Sequence, residues 1–118
     1  MKRILVVDDE ENIRLLYKEE FADEGYEVAV AASAEEAMAQ IEAQRPDLIT
    51  LDIRMPGIDG IEFLRLLREQ DRDLPVVIVT AYGEHKQDFS VWASDAYVVK
   101  SADMDELKAM VRKVLPPN

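Results

Sequence analysis

The sequence predicts an α/β fold in which a doubly wound, five-stranded parallel sheet carries helices on both faces. Three observations predict it: five short runs rich in Val, Ile and Leu, amphipathic segments between them, and strict alternation of the two along 118 residues. Strands that alternate with helices connect by right-handed crossovers, which leave few other arrangements. The length suits one compact domain over residues 1–118.

The five predicted strands are spaced along the whole chain. They cover residues 4–7, 28–31, 48–51, 76–79 and 97–99. The first and fourth are apolar without alternation, which is typical of strands that are covered on both faces. This pattern favours a central sheet between two layers of helices.

Helical spacing of bulky side chains lies between these strands. The first helix is predicted from Ile13, Leu16, Tyr17, Glu20 and Phe21, and the last from Leu107, Met110, Val111 and Val114. The predicted fourth helix, residues 84–93, is polar, so we expect it to be short or mobile.

Helix boundaries have their own sequence signals. Gly25 can end the first helix in a left-handed conformation. Residues 33–36, Ser-Ala-Glu-Glu, match a capping box that opens the second helix. Gly60 precedes the third helix, and Pro75 precedes the fourth strand. The chain therefore marks where several of its helices and strands begin and end.

Charge and composition exclude several classes of function. The chain has 25 acidic and 14 basic residues and a net charge of −11, so its field should repel phosphate backbones and we expect no direct nucleic-acid binding. The absence of cysteine excludes disulfides, thiolate metal sites and a cysteine nucleophile. No apolar stretch approaches the roughly 20 residues of a membrane span, and no signal-peptide pattern occurs, so we expect a cytoplasmic chain without membrane contact.

Reactive side chains follow four of the predicted strands. Asp8 and Asp9 follow the first, Asp52 the third, Thr80 the fourth and Lys100 the fifth. The carboxyl ends of parallel strands lie on one edge of a sheet, where open sheets of this kind bind their ligands. The sequence therefore predicts that three carboxylates, a hydroxyl and an ammonium converge at this edge.

Three neighbouring carboxylates would repel one another by roughly 4 kcal/mol per close pair at an effective dielectric of about 20. A divalent cation removes that repulsion, and an oxygen-only ligand set favours Mg²⁺, or Mn²⁺ in its place, over zinc. A carboxylate beside such a cation can attack phosphorus and form an acyl phosphate. Taken alone, the acids at 8–11 are also typical of a solvated helix start.

The segments that carry these residues resemble the receiver domains of two-component response regulators over nearly the whole chain. They read ILVVDDEENIR, DLITLDIRMPGIDGIEFLRLLRE, VVIVTAYGE and AYVVKS. The resemblance implies a flavodoxin-like sheet with strand order 2-1-3-4-5. It also implies a Mg²⁺-dependent phosphoacceptor that assists its own phosphorylation and dephosphorylation and is not otherwise an enzyme.

The resemblance implies a role for each matching acidic residue. Asp52 would accept a phosphoryl group from the phospho-histidine of a sensor histidine kinase or a histidine phosphotransfer protein. Asp9, Asp52 and the backbone carbonyl of Arg54 would hold Mg²⁺, with Asp8 acting through a water. Lys100 would contact the phosphoryl group.

The resemblance also implies a two-state switch. Thr80 would follow the phosphoryl group with its hydroxyl, and Tyr97 would turn inward as Thr80 moves. The face formed by the fourth helix, fifth strand and last helix would then present an output surface to a downstream protein or output domain. Both a monomer and a phosphorylation-dependent dimer fit this scheme. Ser101 follows Lys100 where the family usually has a cis proline, so we expect the loop geometry to differ there.

Three alternatives remain. A phosphatase of the haloacid-dehalogenase type also uses an aspartyl phosphate, but it would want a second acid at position 54, where Arg54 stands. A flavin-binding protein of this fold would need a phosphate loop rich in Ser, Thr and Gly after the first strand, where this chain has acids. The chain can also be the receiver of a longer DNA-binding or effector regulator.

Overall fold

The computed structural model describes residues 1–52, 60–80, 96–99 and 104–117. The strands in these ranges are β1 (Arg3–Val7), β2 (Glu27–Ala31), β3 (Leu48–Leu51), β4 (Val76–Thr80) and β5 (Ala96–Val99). The helices are α1 (Glu11–Asp23), α2 (Ala34–Ala43), α3 (Gly60–Gln70) and α4 (Asp105–Val114). Thus α4 is the last predicted helix, and the helix predicted at residues 84–93 lies outside the described residues.

The five strands form one parallel sheet in the order β2-β1-β3-β4-β5. This confirms the predicted flavodoxin-like, doubly wound fold. Each strand lies within one residue of its predicted bounds. In the described part of the chain, no helix is both long enough and apolar enough to cross a bilayer.

The core has two halves, one on each face of the sheet. Leu5 and Val7 of β1 pack with residues of α2 and α3, whereas Ile4 and Val6 pack with residues of α1 and α4. Successive strand residues point to opposite faces, so a strand covered on both faces must be apolar throughout. This double burial explains the unbroken apolar run at the start of the sequence.

The buried face of α1 is narrower than the sequence pattern predicted. Tyr17 and Phe21 are buried, and Ile13 packs against the same cluster. Leu16, which was predicted to belong to this face, is 37% exposed. Residues 13, 17 and 21 are spaced four apart and form one stripe along the helix, whereas Leu16 lies about 100° away from Tyr17 around the axis.

The end of α1 confirms the prediction made for Gly25. Its φ is +99°, and its N–H donates to the carbonyl of Ala22 at 3.0 Å. The N–H of Tyr26 donates to the carbonyl of Phe21 at 3.1 Å, which completes a Schellman motif. The predicted cap of α2 is also present, since Ser33 Oγ accepts the N–H of Glu36 at 3.1 Å.

The Tyr26 side chain connects the end of α1 to the end of α4. Its hydroxyl donates to the carbonyl of Leu115 at 2.5 Å in a buried setting. We expect Tyr26→Phe to lower the free energy of unfolding by about 1–2 kcal/mol, because the buried carbonyl loses its donor. Urea denaturation at pH 8 measures this loss, and an unchanged midpoint would contradict it.

The stabilisation that the Tyr26 side chain provides depends on pH. Burial, with a smaller effect of Glu24 opposed by Arg112, raises the pKa of Tyr26 above its ordinary value of 10.0. The unfolded chain therefore ionises first, so the stabilisation is fully present below about pH 10 and declines as the pH rises further. The difference between wild type and Tyr26→Phe should accordingly shrink as the pH rises above about 10.

Thr50 is a buried polar residue in the middle of β3, paired in register with Val6 and Val77. Its Oγ1 has no hydrogen-bond partner within the described structure. Valine has nearly the same shape without the hydroxyl, so we expect Thr50→Val to raise the free energy of unfolding by about 1 kcal/mol. Thr50→Ser keeps the hydroxyl and loses a methyl group, and it should be less stable than wild type in the same denaturation series.

Candidate functional site

Asp8 and Asp52 lie side by side at the carboxyl edge of the sheet. They follow the last residues of β1 and β3, Val7 and Leu51, which are partners in the parallel ladder. The backbone N–H of Asp52 extends this ladder by donating to the carbonyl of Val7 at 3.0 Å. Both acids are buried, with 2% of Asp8 and 5% of Asp52 exposed. The fold therefore removes two carboxylates from bulk water at neighbouring strand ends.

A tight turn joins β1 to α1 and carries the other acids. Asp8 donates its N–H to the carbonyl of Ala31 at 3.1 Å, and its Oδ1 accepts the N–H of Glu10 at 2.9 Å. Arg14 donates from Nη1 to the carbonyl of Asp8 at 2.8 Å. The backbone N–H, carbonyl and carboxylate of Asp8 are thus all held by named partners.

The turn brings three carboxylates together. Oxygen atoms of Asp8, Asp9 and Glu10 all lie within 4.8 Å of one another, with Asp8 buried and the other two exposed. Within the described ranges, this group includes Glu10 and does not include Asp52. The sequence analysis had assigned no role to Glu10. The signal for Glu10 is the turn itself, because an aspartate that accepts the N–H two residues later folds the chain back on itself.

This donor set suits a hard divalent cation. It supplies carboxylate oxygens only, which Mg²⁺ and Mn²⁺ prefer, and its exposed side leaves room for the waters that Mg²⁺ retains. Two unit charges 4 Å apart repel by about 1 kcal/mol in water and about 4 kcal/mol at an effective dielectric of 20. A cation bound between these acids would turn this repulsion into attraction.

The remaining predicted residues are described only in part. Thr80 ends β4 and is paired in register with Val99, the last residue of β5, so its backbone lies at the same edge as Asp8 and Asp52. Tyr97 lies within β5. The side chains of Thr80 and Tyr97, together with Arg54 and the Lys100–Ser101 segment, lie outside the described residues. Their roles therefore stay predictions.

A second group of charges lies at the opposite edge of the sheet, in the segments before β3 and β4. Arg45 donates from Nε to Asp71 Oδ2 at 2.6 Å, and this hydrogen bond holds the pKa of Asp71 below its usual value. Asp71 Oδ1 also accepts the N–H groups of Asp73 and Leu74 at 3.1 and 3.0 Å. These contacts fix two connecting segments and lie far from the acidic turn, so we interpret them as structural.

Comparison with known proteins decides the family. A family model described as the response regulator receiver domain matches residues 4–112 of this chain. The chain belongs to this family. This receiver therefore acts in two-component signalling as a phosphoacceptor, as the resemblance of its motifs had predicted.

Relatives of the receiver differ in length. It is 39% identical over 117 residues to Sporulation initiation phosphotransferase F of Bacillus subtilis (strain 168), a match that covers 98% of this chain and 94% of the relative. It is 37% identical over 117 residues to Regulatory protein AtoC of Escherichia coli (strain K12), covering 98% of this chain and 25% of that protein. The chain thus spans nearly all of one relative and a quarter of another.

Solved structures of the response regulator TrrA from Thermotoga maritima resemble the receiver closely. TrrA in complex with Mg²⁺-BeF has a TM-score of 0.94 and 50% sequence identity, and the match covers 98% of this chain and 100% of TrrA. TrrA in complex with the histidine kinase ThkA has a TM-score of 0.91 and 50% identity, covering 98% and 99%. The predicted receiver fold is confirmed by this likeness.

Proposed function

We propose that the receiver accepts a phosphoryl group on Asp52 from a phospho-histidine donor and that this reaction requires Mg²⁺. The observation that supports this best is the position of Asp52, which is 5% exposed and follows β3 directly beside Asp8 of the acidic turn. A carboxylate at the edge of a cation site can act as a nucleophile, and its burial limits the access of water to the product.

The proposed reaction is a transfer between two protein side chains. An oxygen of the Asp52 carboxylate attacks phosphorus, and a P–O bond forms as the P–N bond to the donor imidazole breaks. The imidazole leaves with the electron pair and takes up a proton. Lys100 would contact the phosphoryl oxygens, and Thr80 would donate its hydroxyl to one of them, as the family resemblance implies. Both would stabilise charge on the transferred group.

The cofactor in this proposal is Mg²⁺, or Mn²⁺ in its place. Asp9, Asp52 and the carbonyl of Arg54 would hold the cation directly, and Asp8 would act through a water. When bound, the cation would neutralise the carboxylates and the incoming phosphoryl oxygens. The convergence of Asp8, Asp9 and Glu10 supports a cation at this turn, and TrrA was solved with Mg²⁺-BeF.

The proposed partner is a sensor histidine kinase or a histidine phosphotransfer protein. The structure of TrrA with the histidine kinase ThkA supports a partner of this kind. Phosphorylation would shift Thr80 and Tyr97 and so alter the output face, which would bind a downstream protein or output domain. The receiver would act in the cytoplasm, as a monomer or as a phosphorylation-dependent dimer, and would assist its own phosphorylation and dephosphorylation.

We also propose that residues 1–118 act as one receiver domain. The 94% coverage of the sporulation phosphotransferase fits a receiver that makes up nearly all of its protein. The 25% coverage of AtoC fits a receiver within a longer regulator. In either setting the chemistry at Asp52 would be the same.

Intact-mass measurement after incubation with acetyl phosphate and Mg²⁺ tests the proposal. We expect one added phosphoryl group that is lost on mild alkaline treatment, since acyl phosphates hydrolyse readily. EDTA and Asp52→Ala should each abolish the addition, whereas Asp73→Ala, which removes an exposed aspartate near the opposite edge, should leave it unchanged. Equal incorporation into wild type and Asp52→Ala would contradict the proposal.

Two further outcomes would support the alternative functions. Continuous turnover of a small phosphomonoester such as p-nitrophenyl phosphate would indicate a phosphatase. A yellow protein on purification would indicate a bound flavin. The proposal predicts neither, because Arg54 stands where the phosphatase would want its second acid and acids stand where a flavin phosphate loop would lie.

A further inference from the structure

Arg14 contacts the turn that carries the acidic cluster. It lies in the first turn of α1 and is partly buried, and its Nη1 donates to the carbonyl of Asp8 at 2.8 Å. Its backbone N–H donates to the carbonyl of Glu10 at 3.1 Å. One residue therefore fixes both ends of the segment from Asp8 to Glu10.

The carbonyl of Asp8 is the part of the turn whose orientation matters for Asp9. This carbonyl and the N–H of Asp9 belong to the same planar peptide unit. A donor that fixes the carbonyl therefore fixes the plane from which the Asp9 side chain departs. Contacts with Ala31 and Glu10 hold the N–H and the carboxylate of Asp8, and Arg14 Nη1 donates to its carbonyl.

We propose that Arg14 is a positioning residue for the cation site, because its guanidinium holds the Asp8–Asp9 peptide in the orientation that brings the carboxylates of Asp8, Asp9 and Glu10 together. This inference rests on the proposed function, since it assumes that the turn binds Mg²⁺. The guanidinium of Arg14 donates hydrogen bonds only and cannot be a metal ligand.

The charge of Arg14 and its hydrogen bond have opposite expected effects on Mg²⁺ binding. A positive charge near the site repels a cation, so removing it should strengthen binding by simple electrostatics. Loss of the hydrogen bond to the Asp8 carbonyl should weaken binding, because residues that orient metal ligands typically contribute 10–100-fold to affinity. The sign of the change therefore separates a positioning role from a purely electrostatic one.

Lys18 offers a matched control. It lies one helical turn after Arg14, and both line a shallow surface groove of about 210 Å³ together with Glu11, Leu15 and Val30. Lys18 is exposed. Lys18→Met and Arg14→Met each remove one positive charge from the same helix, but only Arg14→Met removes the donor to Asp8.

Titration of each ¹⁵N-labelled protein with Mg²⁺, followed by the amide shifts of Asp9 and Glu10, tests the proposal without any phosphorylation step. We expect the Kd of Arg14→Met to rise by about tenfold or more. The Kd of Lys18→Met should stay the same or fall slightly. Arg14→Lys keeps the charge on a differently shaped side chain, so its Kd should lie between those of wild type and Arg14→Met.

Different results would contradict the role of Arg14 and the proposed function. Wild-type or tighter binding by folded Arg14→Met would overturn the proposal, as would an equal loss in Lys18→Met. If Arg14→Met does not fold, Arg14→Lys decides, and a Kd equal to that of wild type would then overturn it. Absence of Mg²⁺ binding by wild type would instead contradict the proposed function itself.

Discussion

Phe21→Ala is expected to lower the free energy of unfolding by roughly 3–5 kcal/mol, the range for truncating a buried aromatic ring. Phe21 of α1 is fully buried in the cluster that α1 forms with α4 and the sheet. Its ring packs edge-on against Tyr17 and Tyr26, with centroid distances of 6.0 and 6.3 Å. Alanine would remove both ring contacts and leave a cavity.

This loss is large compared with the 5–15 kcal/mol total stability of a typical domain. Urea denaturation followed by far-UV circular dichroism measures it. Leu15→Ala is the matched control, because Leu15 lies on the same helix and is 55% exposed, so the expected change is within about 0.5 kcal/mol. A Phe21→Ala loss below about 1 kcal/mol would mean that this half of the core is not packed as described.

Asp9→Asn is expected to weaken Mg²⁺ binding on the order of 100-fold, which corresponds to about 2.7 kcal/mol. Asparagine keeps the shape and one oxygen donor but loses the charge, and affinity at oxygen-ligand sites depends on the number of charged ligands. The amide-shift titration used for Arg14 measures the change. It also tests Glu10, since Glu10→Gln should weaken binding if its carboxylate acts in the group with Asp8 and Asp9.

Glu11→Gln is the control for this experiment. Glu11 is an exposed acid at the start of α1, and it lies outside the group whose oxygens are within 4.8 Å of one another. Its replacement removes the same charge and should raise the Kd only a few-fold, since exposed charges are strongly screened. Equal losses in Asp9→Asn and Glu11→Gln would show that only the general acidity of the turn matters.

The sheet was predictable because strands that pack against helices are rich in apolar residues. The apolar runs gave all five strands, and only their polar or small end residues were missed. Arg3 and Glu27 illustrate the reason, since each extends its strand by pairing with the other in register and through a salt bridge. Contacts between residues 24 apart are not visible in either local pattern.

Elsewhere in the chain, the sequence patterns misplaced one side chain and did not reveal two contacts between distant residues. Lys108 of α4 pairs with Glu20 of α1 at 2.7 Å, although the two residues lie far apart in the sequence. Leu16 fitted a helical spacing but lies beside the buried stripe. The hydrogen bond from Tyr26 to Leu115 joins residues that are 89 positions apart, and no sequence motif predicts it.

At the candidate site, the rule that side chains after parallel strands meet at one edge of the sheet placed Asp8, Asp9 and Asp52 correctly at that edge. The strand-end rule did not reach Glu10, because a side-chain hydrogen bond inside the turn brings it back toward Asp8. Nor did it reveal Arg14, whose contact is with a backbone carbonyl and therefore depends on the fold of the turn rather than on paired side-chain types.

Chemical mapping of the phosphorylated residue tests the central claim most directly. After incubation with acetyl phosphate and Mg²⁺, borohydride reduction converts an aspartyl phosphate to homoserine, which peptide mass spectrometry locates. We expect homoserine at position 52 and at no other position, and none when EDTA is present. Homoserine at position 8 or 9, or Mg²⁺-dependent phosphorylation that yields none at position 52, would contradict it.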